Sequence, residues 1–441
     1  MPALSLAERL TGSPYQGYLY AYPHKTAYGP LAPTALDDVW AAEDRSALFL
    51  YLHVPFCGYR CGFCNLFTTS RSERSQVDAY LDTLTRQARA ARRALGDARF
   101  VRLAVGGGTP TALEVDQLAR LLDLASEVAG GPLDGLAPGV ETSPDTATPE
   151  RLRLLRERGV WRISMGVQSF VEEETRAAGR PVRSAQVDQA LGALRAAEFP
   201  VLNLDLIYGL PGQTEASWAR SLEAALRWQP EELFLYPLYV RPLTGLERRG
   251  LPAARDLRLA LYRQGRARLL AAGYTQRSMR LFVGPHAPRL ELPRYRCQAD
   301  GMLGLGCGAR SYTRALHYAS DYAVGARGVR EVLSAWIAQD DAALGSARHG
   351  YALDGDEQRR RWAIQSLLCS EGLEHAAYRA RFASAPADDL PQLGELVELG
   401  LAEERDAGLH LTPAGLERSD AIGPWLISPR VAARMSACEL V

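Results

Sequence analysis

Lysine is almost missing from this chain: Lys25 is the only one, and every other basic residue is arginine. That bias is read as genomic composition rather than as phosphate recognition. Net charge is missing too. The 51 Lys+Arg residues balance 51 Asp+Glu, so no global field favours nucleic acid or an anionic membrane. No stretch approaches about 18 uninterrupted apolar residues, which argues against a transmembrane helix. The N-terminus lacks the basic segment and apolar core of a signal peptide. Seven cysteines are an odd number, and three of them are clustered, so they do not form a disulfide framework. The expectation is a reduced, cytoplasmic protein. Its 441 residues suffice for two or three domains, and no internal repeat or low-complexity tract is visible.

What is present is concentrated between residues 50 and 70. An apolar, β-prone run from Leu48 to Val54 feeds a loop opened by Pro55, and Cys57, Cys61 and Cys64 follow at CxxxCxxC spacing. Thiolates are soft donors that suit iron–sulfur clusters or zinc. Three on one loop can bind three corners of a cubane and leave the fourth iron open to a chelating small molecule. With its Tyr51-x-His53-x-Pro55-Phe56-Cys57 lead-in, the stretch resembles the signature of the radical S-adenosylmethionine (SAM) superfamily. The lead-in is similar to the subgroup containing oxygen-independent coproporphyrinogen III dehydrogenase. A three-cysteine zinc loop is the bland alternative, and the lead-in weighs against it.

From residue 46 to about 245 one theme repeats: a β-rich run, a turn, then an amphipathic helix. The spacing predicts strands over 48–53, 100–105, 139–143, 161–167, 201–207 and 233–239. Between them lie helical patterns such as Val77, Tyr80, Leu81, Leu84, Ala88 and Ala91. This alternation implies right-handed βαβ units and a parallel sheet. Six units resemble the partial (β/α)6 TIM-type barrel of the radical SAM family, with chemistry at the C-terminal strand ends. The expected organisation is an arm (1–45), the barrel (46–245), an extension that closes over substrate (246–345) and a C-terminal accessory domain (346–441). No periodic element is visible in 1–45. Residues 14–28 nevertheless hold five tyrosines, His24 and Lys25. That arm either packs across the barrel surface or covers the active site, where His24 and Lys25 are candidates for substrate contact.

Polar residues recur at the predicted strand ends, where burial is costly unless they bond something. Gly106-Gly107-Gly108-Thr109-Pro110-Thr111 follows the second strand, and its glycines let a ligand approach backbone amides. Glu141, the Arg162–Phe170 segment containing Gln168, and the Asn203–Thr214 segment containing Asp205 follow in turn. These resemble the family's GGGTPT, ExxP, RxSxGVQSF and NxDLIYGLPGQT motifs. The resemblance implies that Gly106, Gly107, Gly108 and Thr109 bind the amino and carboxylate end of SAM. It further implies that Glu141, Gln168, Arg180 and Asp205 hold its carboxylate, amine and ribose. Tyr51 and Phe63 would pack near the sulfonium or adenine, and Pro237 lies on the sixth strand, where the family makes backbone contacts. Arg241 is a candidate for a substrate carboxylate, with a surface arginine as the alternative.

Farther on, Arg-rich helical sequence (255–272) leads to a Pro-rich loop (284–293). The Gly304-x-Gly306-x-Gly308-Ala309-x-Ser311 core is similar to a segment that closes the barrel's open side in this subgroup. It is not a dinucleotide fingerprint, because no βαβ unit with a downstream acid follows. Cys297 and Cys307 are read as core thiols, catalytic thiols or auxiliary ligands, with packing as the default. Residues 350–425 look like a helical, winged-helix-like domain. Its wing is predicted from 400–403 and 409–412, and Thr412-Pro413 restarts a helix. Over 350–430 eight arginines face fourteen Asp and Glu, a net charge of −6 that suits DNA poorly.

The resemblance implies a [4Fe-4S] cluster on Cys57, Cys61 and Cys64, with SAM chelating the open iron. One-electron reduction, from a donor such as flavodoxin or ferredoxin, would yield a 5′-deoxyadenosyl radical that abstracts hydrogen from a small organic substrate. Tyr51, Arg241 and Cys297 are the catalytic candidates. Four readings follow. Oxidation is the first, with coproporphyrinogen decarboxylation as its best-known case, although Asn65-Leu66-Phe67 departs from that enzyme's continuation. C-methylation with two SAM molecules is the second, the further one near 106–108 or 304–308. A haem-trafficking protein without turnover is the third, although Cys297-Gln298-Ala299-Asp300-Gly301-Met302 lacks that branch's histidine. A DNA-binding regulator is the fourth, opposed by charge. The favoured reading is a radical SAM oxidoreductase or C-methyltransferase, without nucleic-acid or membrane partners.

Overall fold

The computed structural model describes residues 5–250, 256–291 and 295–440. Six strands carry the fold: β1 (Leu48–Val54), β2 (Phe100–Gly107), β3 (Gly139–Thr142), β4 (Arg162–Gln168), β5 (Val201–Tyr208) and β6 (Glu232–Pro237). They are parallel and neighbour one another in that order. A helix follows each in turn: α1 (Arg74–Leu95), α2 (Val115–Ala129), α3 (Pro149–Glu157), α4 (Ser184–Ala196), α5 (Glu215–Arg227) and α6 (Arg258–Ala271). Local chemistry sets their ends. Pro149 opens α3, the Thr214 side chain caps α5 by accepting from Ser217 N, and left-handed Gly130 stops α2. Leu48, Leu50, Leu52 and Val54, which share one face of β1, are fully buried.

The sheet continues beyond these units. On the β1 side, β7 (Met302–Leu305) pairs in parallel, and β8 (Arg310–Tyr312), β9 (Leu316–Ala319) and β10 (Ser346–Ala352) follow antiparallel. On the β6 side, Leu281–Val283 and Thr275–Gln276 add two antiparallel strands. The thirteen-stranded order is therefore linear, so hydrogen bonding leaves the barrel open. The Gly304 segment lengthens the sheet beside β1 rather than bridging β6 to β1. β6 ends at Pro237, two residues earlier than the periodicity suggested. Of the helix expected over 255–272, Arg255 lies outside the described residues; so do 292 and 293 of the Pro-rich loop.

The N-terminal region corrects the sequence reading. Residues 1–45 were expected to lack regular elements, yet Leu6–Leu10 is helical, Gly29–Ala35 is a strand and Leu36–Trp40 is a helix. Pro30 and Pro33 disguise the strand. It lies at the edge of the sheet, pairs only with β10 and shifts register between Pro30 and Thr34, and an edge is where proline is tolerated.

The C-terminal unit has three strands, and Ala402–Arg405 and Gly408–Leu411 form the wing-like hairpin. Thr412 accepts from Gly415 N ahead of Pro413, as its sequence implied. Its core includes Trp362, Leu367, Leu373, Tyr378 and Leu396. The arm inserts Leu6, Leu19, Tyr22 and Ala27 into that same core. A buried ion pair fastens the unit to the barrel: Arg280 Nη2 lies 2.6 Å from Asp420 Oδ2, and their side chains are 5% and 2% exposed. Tyr239 also donates to Asp420 Oδ2 at 2.5 Å. Among the described residues no helix is long and apolar enough to cross a membrane.

Breaking one side of a buried pair strands the other charge, at a cost of about 3–5 kcal/mol. Arg280→Met is therefore expected to lower stability by that amount in urea unfolding. Arg280→Met with Asp420→Leu should recover most of the loss.

Candidate cofactor site

The three cysteines lie on the loop that leaves β1, and each is half-buried. Backbone bonds fix this loop. Gly108 N donates to Val54 O at 2.7 Å, Thr109 N to Phe56 O at 2.8 Å and Thr69 N to Pro55 O at 2.7 Å. On its other side, Gly62 N reaches Gly179 O at 3.3 Å, and Gly62 O accepts from Leu246 N at 2.7 Å. A Cβ at Gly62 would lie 2.6 Å from the Ala178 carbonyl oxygen, so only glycine permits this approach. Thr109 Oγ1 donates to Cys57 Sγ at 3.6 Å, and Arg180 Nη1 donates to Cys61 Sγ at 3.1 Å. Burial pushes the Cys57 thiol up to about 12. Burial also raises Cys61, against the opposing pull of the Arg180 guanidinium.

Beside this loop, the ends of β2 to β5 bring the predicted cofactor residues together. Gly107 N donates to Glu141 Oε2 at 3.1 Å, and a Cβ at Gly106 would stand 2.8 Å from the Glu141 carboxylate carbon. Glu141 keeps exposed surface at the end of β3, although protein crowds it on several sides. Burial and the Asp205 charge push its carboxyl up to about 7. Asp205 is also raised by burial, and it accepts from Asn203 Nδ2 at 2.8 Å and Ser164 Oγ at 3.4 Å. Asn203 Oδ1 is buried without a partner among the described residues. Gln168 takes φ +73 at the end of β4, which turns its amide back over Gly166. Arg180 donates to Gly166 O at 2.5 Å and so bridges β4 to the thiol loop. The Tyr51 hydroxyl lies 3.2 Å from His53 Nδ1. Phe63 packs on Ala178, Ile207, Leu210, Leu238 and Leu246, and Pro237 closes β6 as a buried residue.

Other candidates lie apart. Arg241 stacks on Tyr239, its guanidinium 4.3 Å from the ring centre. Cys297 is on an exposed turn with Sγ 3.8 Å from Gln298 Oε1. Cys307 is buried beside Ser320. Gly306 and Gly308 serve close packing. A Cβ at Gly306 would meet the Tyr80 hydroxyl, and one at Gly308 would lie 2.8 Å from Phe67.

Several site residues escaped the sequence reading. The arm crosses the strand ends: Tyr15 meets Tyr208 at 5.9 Å and Tyr18 meets Tyr236 at 6.4 Å between ring centres. Tyr20 accepts from Arg310 Nη1 at 2.5 Å. The signals were present, in the arm's tyrosines and in the arginine inside the Gly304 motif, but neither type of residue is distinctive alone. His53 Nε2 lies 3.0 Å from Phe67 O, and Tyr80 donates to His53 O at 2.5 Å. This makes the histidine a brace for the thiol loop.

Among the described residues no three His, Cys, Asp or Glu side chains gather around a point suited to a single metal ion. A cubane does not require that, because each thiolate takes a separate iron. Three soft donors on one clamped loop fit such a cluster. The carboxylates, the unpartnered Asn203 oxygen and the glycine-lined strand end fit a polar cofactor carrying amine and hydroxyl groups.

The comparisons agree with this geometry. Residues 51–225 match the family model of the radical SAM superfamily, and residues 353–417 match that of the HemN C-terminal domain. The chain belongs to the radical SAM superfamily. Within it, the chain is similar to oxygen-independent coproporphyrinogen III oxidases and their relatives. It is 29% identical over 431 residues to the oxygen-independent coproporphyrinogen III oxidase of Salmonella typhimurium, covering 91% of each chain. It is 34% identical over 194 residues to the heme chaperone HemW of Bacillus subtilis, covering 44% of this chain and 51% of that one. The solved structure of coproporphyrinogen III oxidase (HemN) from Escherichia coli, a radical SAM enzyme, superposes with a TM-score of 0.77. The identity there is 25%, over 93% of this chain and 96% of that one.

Glu141 gives a pH prediction. Its carboxyl titrates near 7 in the fold against a usual 4.5, so folding favours the protonated form. The unfolded chain releases this proton at lower pH than the folded one, and stability from this group is lost as pH rises between those values. Glu141→Gln should therefore raise the melting temperature of the cofactor-free protein relative to wild type at pH 8. The difference should vanish at pH 4, as followed by circular dichroism.

Proposed function

We propose that this protein is a radical SAM oxidoreductase acting on a small organic molecule. The observation that carries the reading is a clamped three-cysteine loop beside strand ends that carry Glu141 and Asp205, with the tyrosine arm lying across them. Cys57, Cys61 and Cys64 would hold a [4Fe-4S] cluster. Gly106, Gly107, Glu141, Gln168, Arg180 and Asp205 would hold SAM. Bound together, these groups supply one-electron chemistry that removes a hydrogen atom from a substrate.

The chain's own residues supply position and enclosure. Arg180, on Cys61 and Gly166, holds the thiol loop in register with β4. Asn203 and Ser164 orient the Asp205 carboxylate. Tyr51 projects from β1 near Glu141, where its ring can pack on a bound cofactor. Tyr15, Tyr18 and Tyr20 cover the strand ends and exclude water. An electron donor such as flavodoxin or ferredoxin and a cytoplasmic setting belong to the same reading. The names of the full-length relatives support oxidation over methyl transfer. The tight packing at Gly306 and Gly308 gives no support to a second SAM there.

The test is anaerobic reconstitution with iron and sulfide, reduction, addition of SAM and mass spectrometry of the nucleosides. 5′-Deoxyadenosine is the expected product, and Cys57→Ala should abolish it together with bound iron. S-adenosylhomocysteine formed alongside it would convert the reading to C-methylation. A protein with a verified cluster that yields neither nucleoside would be a carrier without turnover.

A further inference from the structure

Directly after Gln168 begins a chain of hydrogen bonds through four buried side chains: Ser169, Glu174, Gln213 and Ser221. Phe170 N donates to Ser221 Oγ at 3.1 Å, and Val171 N donates to Ser169 Oγ at 3.0 Å. Ser169 Oγ in turn donates to Glu174 Oε2 at 2.6 Å and lies 3.0 Å from Ser221 Oγ. Gln213 Nε2 donates to the same Glu174 oxygen at 3.0 Å. Its Oε1 accepts from Gly209 N at 2.6 Å and from Leu210 N at 3.3 Å.

These bonds have a fixed direction. Backbone amides only donate, which settles the Gln213 amide with its nitrogen facing Glu174. Ser169 gives its one proton to Glu174, so Ser221 donates to Ser169. The chain therefore ends on Glu174 as its common acceptor. The other carboxyl oxygen, Oε1, is buried without a partner among the described residues. A buried carboxyl with one oxygen unsatisfied costs stability, so the fold alone does not account for it.

What it joins does. Gln168, next to Ser169, takes φ +73, a conformation that a residue with a side chain rarely adopts. Glu174 sits on the helix Glu172–Ala177, which leads into Gly179 and Arg180. That segment touches the thiol loop twice, through Gly179 O with Gly62 N at 3.3 Å and Arg180 Nη1 with Cys61 Sγ at 3.1 Å. Gln213 belongs to the turn after β5, the strand that carries Asp205.

Resting on the radical SAM reading above, we propose that Glu174 is a positioning residue for cofactor binding. Through Ser169 it holds Gln168 in its left-handed turn. Through its own helix it keeps Arg180 on the thiol loop, and through Gln213 it ties both to the turn after β5. Two strand ends and one cluster thiol thus take their register from one buried acceptor.

The test compares Glu174→Met, Glu174→Gln and Ser169→Ala with the wild type. In the cluster-free protein, hydrogen–deuterium exchange read by mass spectrometry should quicken in Glu174→Met over 168–180 and 57–64. The expected factor is about tenfold, the effect of losing roughly one hydrogen bond. The distant helix Gly355–Leu367 should exchange as before. Glu174→Gln keeps an acceptor oxygen for Ser169 and Gln213 and should restore wild-type exchange. In the cluster-loaded protein without reductant, equilibrium dialysis should show SAM held about tenfold more weakly by Glu174→Met, equivalent to about 1.4 kcal/mol. Glu174→Gln should bind it as wild type does. Ser169→Ala cuts one link and spares the carboxyl, so it should loosen 168–180 and weaken SAM even if Glu174→Met does not fold. Faster exchange across the whole chain, or no rescue by Glu174→Gln, would mark a merely structural residue and overturn the proposal. Equal SAM affinity in wild type, Glu174→Met and Ser169→Ala would overturn it alone. A loaded wild type that binds no SAM would instead overturn the radical SAM reading, and the cofactor role of Glu174 with it.

Discussion

Everything at the site depends on how closely three backbones can approach the loop after β1. Gly108 and Thr109 bond its carbonyls from one side, and Gly62 meets Gly179 from the other. A single methyl group at Gly62 or Gly108 would strike a carbonyl oxygen at 2.6 Å. Main-chain contacts of this kind are short, numerous and cannot rotate away, so they hold a loop more firmly than side chains could. The thiols thereby inherit the rigidity of a buried parallel sheet. Among the side-chain ties, Arg180 joins a thiol directly to β4.

Around that fixed point the site is electrically polar. Glu141 and Asp205 bring carboxylates to the strand ends, and Lys25 belongs to the arm whose tyrosines cross them. Each carboxyl is raised by burial, and the Lys25 ammonium is lowered by burial. Burial thus holds these groups closer to neutral than water would. In such surroundings the low dielectric strengthens any contact that a bound group makes with them.

Much of this was legible in the sequence because the signals were positional. Glu141, Gln168 and Asp205 interrupt apolar strands at their ends, and a polar residue there must have a partner. The six strand positions followed from alternation and came within two residues of the structure. The strand at Gly29–Ala35 was hidden because its prolines fit only a sheet edge, and no local pattern reveals which strand is the edge. Arg310 was hidden for another reason. In an arginine-rich chain one more arginine carries no signal. The shared core was illegible in principle, since Leu6, Leu19 and Tyr22 give no hint that their neighbours lie hundreds of residues away.

That shared core has a temporal meaning. Leu6 and Tyr22 pack with Leu426 and Val431, so an early segment and a much later one complete one another. During synthesis the sheet and its thiol loop can form while the arm still lacks its seat. The mouth is covered only after the far end of the chain has emerged. Until then the cysteines face open solvent, and that interval is when iron and sulfide can reach them most freely. The fold thus orders its own assembly, with loading first and sealing afterwards.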